Sequence, residues 1–362
     1  MGAEAGAAFI LAGGRGERFW PLSSRRRPKQ LLALVGDRPL LAETVRRLTP
    51  WIPPERTWVI TNAEYVEAAR QWLPELPPAQ IVGEPMGRDT AAAVALALGL
   101  MLAHDPEGVF AVLPSDHVIG EGPAFLDTLR TAFRLASHRK ALIVVGIPPT
   151  APVPSFGYIE AGPAAEDTPA GPALPVRRFV EKPDVETARR YLAAGNFYWN
   201  AGLFVWQTPV LLAALRRHAP RHAELAECAA KAAGRPEFEN VLRTAYANIE
   251  KTSIDYALME KAENVLMIPA NFRWDDMGTW TTLRNHFPAD ADGNVIVGDG
   301  VALDAGENIV YSPGRLTALL GVRDLIVVQA EGVTLVCRRD QADAVKKLVR
   351  HLHSLGRYED LL

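Results

Sequence analysis

Short apolar runs alternate with longer segments of helical spacing over the first part of the chain. The runs AAFILAGG (7–14), TWVITN (57–62), VFAVLPSDH (109–117) and ALIVVGI (141–147) have the length and apolarity of buried strands. Between them, LLAETVRRL, YVEAARQWL, TAAAVALALGLMLAHD and AFLDTLRTAFRLASH space their apolar residues as helices do. This alternation predicts an α/β fold with a doubly wound, mostly parallel sheet.

The pattern changes towards the C-terminus. Residues 163–175, GPAAEDTPAGPAL, predict a loop because they are rich in Pro, Gly and Ala, and a helical region follows over 209–262. From about residue 288, short strand-like runs such as NVIVGDG and ENIVYSPG follow one another without a strict repeat, until DQADAVKKLVRHLHSL predicts a closing helix. We therefore predict two domains, residues 1–287 and residues 288–362, of which the second is small and β-rich.

Composition narrows the classes of partner. The 362 residues carry 39 Lys and Arg against 42 Asp and Glu, which argues against a general polyanion-binding surface and so against nucleic acid. No run has the length of a membrane span, and the first apolar run ends in glycines, unlike a secretory leader. We expect a cytoplasmic protein without a membrane partner. Cys228 and Cys337 lie far apart in the sequence, so we predict that both are reduced and serve as packing residues.

One stretch, LAGGRGERFWPLSSRRRPKQLL, departs from this balance with a cluster of basic residues. Missing Cβ atoms at its glycines let backbone N–H groups approach phosphate, and a helix starting there would add a positive dipole end. The alternative is a turn that simply needs glycine. The stretch lacks the G-K-[ST] of a P-loop, and Phe19 stands where a dinucleotide site needs glycine. Lys29 precedes an apolar run, which predicts a partly buried stem, whereas residues 25–27 predict a solvated charge run.

Candidate polar residues follow two of the predicted strands. The glycine loop follows the first strand, and Asp116 follows VFAVLP. Because ligands bind at the carboxyl ends of strands in such sheets, we predict that both segments share one cleft. Asp275 and Asp276 precede a glycine further along the chain. Each acid alone could equally be a turn residue or a helix cap.

Ordered motifs carry a resemblance over nearly the whole chain. L-A-G-G-x-G-x-R-x-x-P-L followed by P-K-Q-L-L resembles the signature of the sugar-nucleotide pyrophosphorylases, which join a sugar 1-phosphate to a nucleoside triphosphate. EPMGRDTAAA, LPSDH, FVEKP, NAGLFVW, SIDYALMEK and WDDMGTW are similar to the mannose-1-phosphate guanylyltransferase branch of that family. The resemblance implies a Rossmann-like, GT-A-like nucleotidyltransferase domain with a β-helix-like C-terminal appendage.

The resemblance also implies roles for matching positions. It makes Arg18, Lys29, Asp116 and Asp276 the catalytic residues, with Mg²⁺ or another divalent cation on Asp116 and Asp276. The nucleotide would contact Leu11, Ala12, Gly13, Gly14, Gly16, Glu84, Pro85, Gly87, Asp89 and Thr90. The sugar phosphate would contact Gly157, Tyr158, Glu181, Lys182 and Asn200.

Some of these positions allow a purely structural interpretation or depart from the pattern. Glu84 could be an exposed loop acid, and the residues around Lys182 could form an ordinary salt bridge. Asp89 stands where the family pattern leads us to expect Asn, and the turn PSFG is less glycine-rich than the family's. Asp275 is a weaker metal candidate than its neighbour, because its side chain should point another way.

The implied reaction is GTP + mannose 1-phosphate ⇌ GDP-mannose + pyrophosphate, with these small molecules as partners and a homodimer as a possible assembly. One alternative is the same chemistry on another nucleotide or hexose 1-phosphate. A second is a non-catalytic subunit that senses GDP-mannose, and the intact set of implied catalytic residues argues against it. An NAD-dependent oxidoreductase is disfavoured, because the glycine pattern of a dinucleotide site is missing.

Overall fold

The architecture comes from a computed structural model that describes residues 6–330 and 332–362. The chain forms two compact units. Unit 1 comprises the described part of Met1–Gly13 together with Thr44–Ser115 and Ile119–Trp274, and unit 2 comprises Gly14–Glu43, Asp116–Val118 and Asp275–Leu362. The domain boundary at residue 287 stays a prediction, because the units follow spatial contacts and not chain order. Residues 1–5 of the predicted first domain, and Glu331, lie outside the described residues.

A large sheet forms the centre of unit 1. The strands up to residue 275 are β1 (Ala7–Ala12), β2 (Thr57–Asn62), β3 (Ile81–Glu84), β4 (Val109–Pro114), β5 (Val118–Ile119), β6 (Leu142–Ile147), β7 (Gly157–Ala161), β8 (Glu166–Thr168), β9 (Gly171–Glu181), β10 (Phe197–Gln207), β11 (Val265–Pro269) and β12 (Trp274–Asp275). The order across the sheet is β3-β2-β1-β4-β10-β6-β11-β9-β7, with β8 paired to β9. Along this path β9 and β10 run against the direction that the other strands share. The sheet is mostly parallel, as predicted.

The helices cover the predicted segments. They are α1 (Leu40–Leu48), α2 (Val66–Trp72), α3 (Thr90–His104), α4 (Gly122–His138), α5 (Val185–Ala194), α6 (Thr208–His218), α7 (Pro220–Ala232), α8 (Phe238–Ala247) and α9 (Val345–Ser354). Helix α3 is apolar on all sides, and its residues from Ala91 to Gly99 are buried. Such a helix can only lie inside a protein, and each fully buried Leu contributes roughly 2 kcal/mol. The core of unit 1 therefore forms around α3 and the central strands.

Three sequence expectations were wrong in detail. The segment 163–175 contains β8 and the start of β9 instead of a loop. A single 3₁₀ turn, Glu17–Phe19, follows the glycine loop, so no helix begins there to supply a dipole. Cys228 is exposed, whereas a packed residue was expected.

Unit 2 contains a four-stranded sheet, β13 (Val295–Leu303), β14 (Ile309–Leu320), β15 (Leu325–Ala330) and β16 (Val333–Arg338), in that order. The first three strands are parallel and the last is antiparallel. The core of this unit includes the buried Trp280 and Phe19, whose rings lie 5.0 Å apart, together with apolar residues of the sheet and of α9. Residues near the glycine loop thus belong to the same hydrophobic core as the C-terminal strands.

Two buried asparagines join the successive turns of this sheet. Asn308 is fully buried and lies just before β14, and Asn294 lies in the same place before β13. The Asn308 amide donates to Asn294 Oδ1 at 2.9 Å and to the carbonyl of Val322 at 3.1 Å. Its Oδ1 accepts from the backbone N–H of Leu325 at 3.0 Å. The sequence NVIVG, ENIVY and DLIVV therefore forms stacked turns, although the spacing between them is irregular.

Within the described residues, no helix combines the length and apolarity that spanning a bilayer requires.

We predict that Asn308→Ala destabilises unit 2 by about 3 kcal/mol, because it leaves buried backbone groups without partners. Hydrogen–deuterium exchange of the β13–β15 amides measures the effect, and exchange should accelerate there while β1 and β4 keep their protection. The exposed Asn240 on α8 provides the control substitution Asn240→Ala. Equal exchange in both variants would contradict a structural role for the asparagine pair.

Candidate active site

A buried lysine is the centre of the candidate site in unit 2. Lys29 begins the 3₁₀ turn Lys29–Leu31, and only 8% of its side chain is exposed. Its ammonium donates to Asp116 Oδ2 at 2.8 Å and to the backbone carbonyl of Asp276 at 2.8 Å. A buried ammonium must be paired in this way, because leaving it unpaired costs several kcal/mol. Three implied catalytic residues that are distant in sequence are therefore in one cluster.

The two carboxyl groups of this cluster differ in the direction of their pKa shift. Burial acts to raise the pKa of Asp116, but the Lys29 ammonium outweighs it and holds that pKa below its usual value. Burial raises the pKa of Asp276 to about 6, with Asp275 and Asp116 adding repulsion and Lys29 opposing. Asp276 Oδ1 accepts only a backbone hydrogen bond, from Gly278 at 3.1 Å. The cluster thus contains more negative charge than Lys29 neutralises.

Asp275 points elsewhere, as its position in an extended segment predicts. Its carboxylate accepts from Asn285 at 2.7 Å, contacts His286 Nε2 at 3.1 Å, and accepts from the backbone of Met277 at 2.7 Å. These contacts occupy both oxygens. Asp275 therefore holds the segment that carries Asp276.

Arg18 forms its ion pair with a different residue from those that contact Lys29. Its Nε lies 3.2 Å from Asp343 Oδ1, in the 3₁₀ helix Arg339–Ala344, without forming a hydrogen bond of good geometry. The side chain of Asp343 is 74% exposed, so this ion pair is weak. The Arg18 ion pair is therefore with a residue outside the lysine cluster. The residues 25–27 are exposed, as expected of a solvated charge run.

The glycine loop follows β1. In unit 1, the Gly13 carbonyl accepts from Asn62 at 3.2 Å, and a Cβ on Gly13 would lie 3.2 Å from Glu84 Oε2. Leu11 and Ala12 are the last residues of β1. In unit 2, Gly14 is exposed and Gly16 has a left-handed φ of 69°. A Cβ on Gly16 would lie 2.2 Å from the Lys29 Cβ. Gly16 is therefore needed where the backbone passes the lysine.

The implied base-binding residues are at the end of β3 and the start of α3. Glu84 is 5% exposed, which excludes an exposed loop acid, and it accepts a hydrogen bond from the Tyr246 hydroxyl at 3.1 Å. Burial raises the pKa of Glu84 to about 7, against the effect of that hydrogen bond. Asp89 has a left-handed φ of 68° and caps α3, and Thr90 Oγ1 accepts from the backbone of Ile254 at 2.9 Å. Pro85 and Gly87 complete the turn between them.

The implied sugar-binding residues form a second cluster in unit 1. Asn200 donates to Asp255 Oδ1 at 3.0 Å, and Lys182 forms a salt bridge with Glu181. A Cβ on Gly157 would lie 2.4 Å from Glu181 Oε2, so a larger residue there would displace the end of the Glu181 side chain. Burial raises the pKa of Asp255 to about 7, and the neighbouring Glu181 adds to it. Although burial opposes it, the contact with Glu181 raises the pKa of Lys182.

Tyr158 does not present its hydroxyl to this cluster. Its side chain is fully buried, and the hydroxyl contacts the backbone of Val153. Two residues that sequence reasoning missed do contact the implied sites. Asp255 lies in the motif SIDYALMEK, which indicates a functional segment in the sequence. Tyr246 lies in an ordinary helical pattern, which does not distinguish it from a packing residue.

Comparisons with known proteins identify the family of the chain. Residues 7–293 match the family model "Nucleotidyl transferase", and residues 298–352 match "MannoseP isomerase/GMP-like beta-helix domain". The chain therefore belongs to the nucleotidyl transferase family. It is an enzyme of the nucleotidyltransferase class with a β-rich C-terminal part.

Relatives and a solved structure extend this comparison. The xanthan biosynthesis protein XanB of Xanthomonas campestris is 37% identical over 97% of this chain and 74% of its own length. The mannose-1-phosphate guanylyltransferase of Escherichia coli K12 is 35% identical over the same shares, 97% and 74%. A crystal structure from Thermus thermophilus, described as a mannose-1-phosphate geranyltransferase, has a TM-score of 0.86 and 36% identity, covering 96% of this chain and 99% of its own.

We predict that Gly16→Ala destabilises the protein by about 3 kcal/mol, since a left-handed alanine and a contact with the Lys29 backbone are both unfavourable. Thermal unfolding measures the loss as a lower Tm. Gly14→Ala is the matched control, because no atom lies within 4 Å of its added Cβ. The control should leave the Tm within experimental error, and equal values for both variants would contradict the assigned strain.

Proposed function

We propose that the protein transfers GMP from GTP to mannose 1-phosphate and releases pyrophosphate. The observation that supports this proposal most directly is the buried Lys29 ammonium, which contacts both Asp116 and the backbone of Asp276 inside a nucleotidyltransferase fold. The names of the relatives support mannose 1-phosphate as acceptor and a guanylyl group as the transferred unit. In this proposal the residues of the site neutralise the charge of the phosphates and hold the two substrates in position.

In the proposed reaction an oxygen of the sugar phosphate attacks the α-phosphorus of GTP. The new oxygen–phosphorus bond forms as the bond to the β-phosphate oxygen breaks, and pyrophosphate leaves. No protein nucleophile is required. Both substrates are anions, so positioning and charge neutralisation are the main requirements. Lys29 neutralises phosphate charge, and the glycine loop at residues 13–16 allows phosphate oxygens to approach the backbone.

Arg18 has a second role in the proposal. Its ion pair with Asp343 is weak and largely exposed, so a triphosphate, which carries more charge, can replace Asp343 as its partner. We assign Arg18 to the β- and γ-phosphates, where it stabilises the leaving pyrophosphate.

The acidic residues beside Lys29 suit a divalent cation. Asp116 and Asp276 supply carboxylate oxygens. Burial is the main cause of the raised pKa of Asp276, repulsion from Asp275 and Asp116 adds to it, and a cation would favour the ionised form. Mg²⁺ prefers one or two carboxylates together with substrate phosphate oxygens. Among the described residues no group of three or more His, Cys, Asp or Glu forms a metal cage, which suits an ion held partly by substrate. When bound to Asp116 and Asp276, the ion would neutralise charge on the reacting phosphates.

The remaining clusters of unit 1 bind the other substrate groups in this proposal. Glu181 and Asn200 contact sugar hydroxyls, and Lys182 neutralises the sugar phosphate. Asp255 joins them, since its hydrogen bond fixes the Asn200 amide. Gly157 leaves space beside Glu181, and Tyr158 supports the turn that precedes it. Glu84, flanked by the segment 85–90, accepts the N–H groups of guanine.

Two further functions remain as alternatives to be tested. The same fold could use another nucleoside triphosphate or hexose 1-phosphate, and it could bind GDP-mannose without turnover. The donor named for the Thermus thermophilus protein is a geranyl group. A buried carboxyl group at Glu84 suits a base with N–H donors better than an isoprenoid chain. A homodimer and a cytoplasmic location stay predictions, and light scattering of the purified protein tests the dimer.

We predict pyrophosphate release with GTP, mannose 1-phosphate and Mg²⁺, and none after EDTA is added. Parallel reactions replace GTP with ATP, UTP or geranyl diphosphate, and mannose 1-phosphate with glucose 1-phosphate. The combination of GTP and mannose 1-phosphate should give the highest kcat/KM of these substrate pairs. Binding of GDP-mannose without pyrophosphate release from any pair would favour the sensor alternative.

We predict that Lys29→Met lowers kcat by a factor on the order of 10²–10³, since a positive charge next to the phosphates is lost. Methionine keeps the length of the buried stem. Circular dichroism must show retained structure for the result to count. The control is Arg26→Ala in the same basic stretch, where the side chain is 83% exposed. Near-normal kcat in the folded Lys29 variant would refute the assigned role.

A further inference from the structure

A buried tyrosine is hydrogen-bonded to the carboxyl group that is proposed to read the base. Tyr246, on α8, is fully buried, and its hydroxyl lies 3.1 Å from Glu84 Oε1. The same hydroxyl lies 3.2 Å from the backbone carbonyl of Ala92 on α3. A phenol has one proton to donate, so it can satisfy only one of these acceptors at a time.

This arrangement satisfies Glu84 in both of its charge states. When Glu84 is ionised, the Tyr246 hydroxyl donates to it. When Glu84 is protonated, it can donate to the Tyr246 oxygen, and the tyrosine proton can turn to the carbonyl of Ala92. The proton of Tyr246 remains in place in either case, because burial and the neighbouring Glu84 raise its pKa well above the ordinary value.

The second carboxyl oxygen of Glu84 faces the glycine loop. The site where a Gly13 Cβ would be lies 3.2 Å from Oε2, and Gly13 is exposed. Tyr246 contacts Oε1, so Oε2 is directed to the side where a ligand can approach. The hydrogen bond to Tyr246 therefore orients the carboxyl group as well as affecting its charge.

The end of α8 is fastened to the turn after Glu84. Arg88 donates to the carbonyl of Tyr246 at 2.9 Å and to that of Ala247 at 3.1 Å. Among the charged groups near Glu84, the Asp89 carboxylate repels the ionised form of Glu84. The Arg88 guanidinium is engaged in hydrogen bonds with these carbonyls. Tyr246 is the side chain that stabilises the ionised form by a direct hydrogen bond.

We propose that Tyr246 is a positioning residue that keeps Glu84 in the form that accepts two N–H groups, and that it thereby sets selection of guanine over adenine. This inference rests on the proposed function. An ionised carboxylate accepts from N1–H and from the exocyclic amine of guanine. A neutral carboxyl group has one donor and one acceptor, which complement N1 and the exocyclic amine of adenine.

The inference makes base selection depend on pH with a defined sign. Burial raises the pKa of Glu84 to about 7, so the carboxylate predominates above that pH and the neutral acid below it. Because GTP needs the carboxylate and ATP the neutral acid, the ratio of kcat/KM for GTP to that for ATP should follow the ratio of these two forms, and it should fall by up to about tenfold for each unit by which the pH is lowered. Effects of pH on the phosphates or on the lysine cluster of unit 2 cancel in this ratio.

The experiment measures this ratio from about pH 6 to 9 in the full-length protein with mannose 1-phosphate and Mg²⁺. For Tyr246→Phe, we expect the whole pH dependence to move up by roughly one pH unit, which lowers the ratio about tenfold at any given pH. Glu84→Gln should give a ratio that favours ATP and does not vary with pH. Tyr358→Phe, at a 51% exposed tyrosine, is the control and should match the wild type.

The outcomes separate this inference from the proposed function. A wild-type ratio that does not change with pH, in a protein that uses GTP, overturns the inference and leaves the proposed function standing. So does a Tyr246→Phe variant with a lower kcat/KM for both nucleotides but an unchanged GTP/ATP ratio at every pH, since that result describes a purely structural role. A wild-type protein that turns over neither nucleotide overturns both.

Discussion

The pairing of the Lys29 ammonium with Asp116 and the Asp276 carbonyl is the interaction on which the candidate site depends. An unpaired charge at this depth would cost several kcal/mol, so burial of Lys29 requires both acceptors. Because those acceptors come from distant segments, the requirement fixes three parts of unit 2 relative to one another. Gly16 belongs to the same constraint, since only glycine leaves room for the lysine stem. The placement of the proposed catalytic residues therefore depends on the same group that holds these segments of the unit together.

The asymmetry of that pairing also defines the chemistry. Lys29 contacts the carboxylate of Asp116 but only the backbone of Asp276, so the Asp276 carboxyl group keeps its repulsion with neighbouring acids. With one ammonium and two acids, the cluster is complementary to an additional cation and, through the lysine, to an anionic oxygen. Such a mixed environment suits phosphoryl chemistry better than hydrolysis by a protein nucleophile.

Much of this was accessible from sequence, and the failures have physical causes. Apolar runs predicted β1, β2, β4 and β6, because parallel strands that are buried on both faces consist of nearly continuous apolar residues. The segment 163–175 was misjudged because its prolines suggested a loop. Both prolines lie in β9 and are paired there, Pro172 with Asp167 of β8 and Pro175 with Leu266 of β11. Burial of Lys29 followed from the apolar run after it, whereas the weak pairing of Arg18 depends on residues more than three hundred positions away.

The buried acids of unit 1 show a different principle from that of the lysine cluster. Glu84 and Asp255 each accept from a neutral group, Tyr246 and Asn200 respectively, and burial raises the pKa of each to about 7. Lys182 acts to lower the pKa of Asp255 but does not outweigh burial and Glu181, whereas the pKa of Asp116 beside Lys29 is held below its usual value. Neutral partners leave the charge state responsive, so additional N–H or O–H donors from a ligand favour ionisation. Recognition of a base or sugar can then include proton release, which links selectivity to the protonation of the protein's own acids.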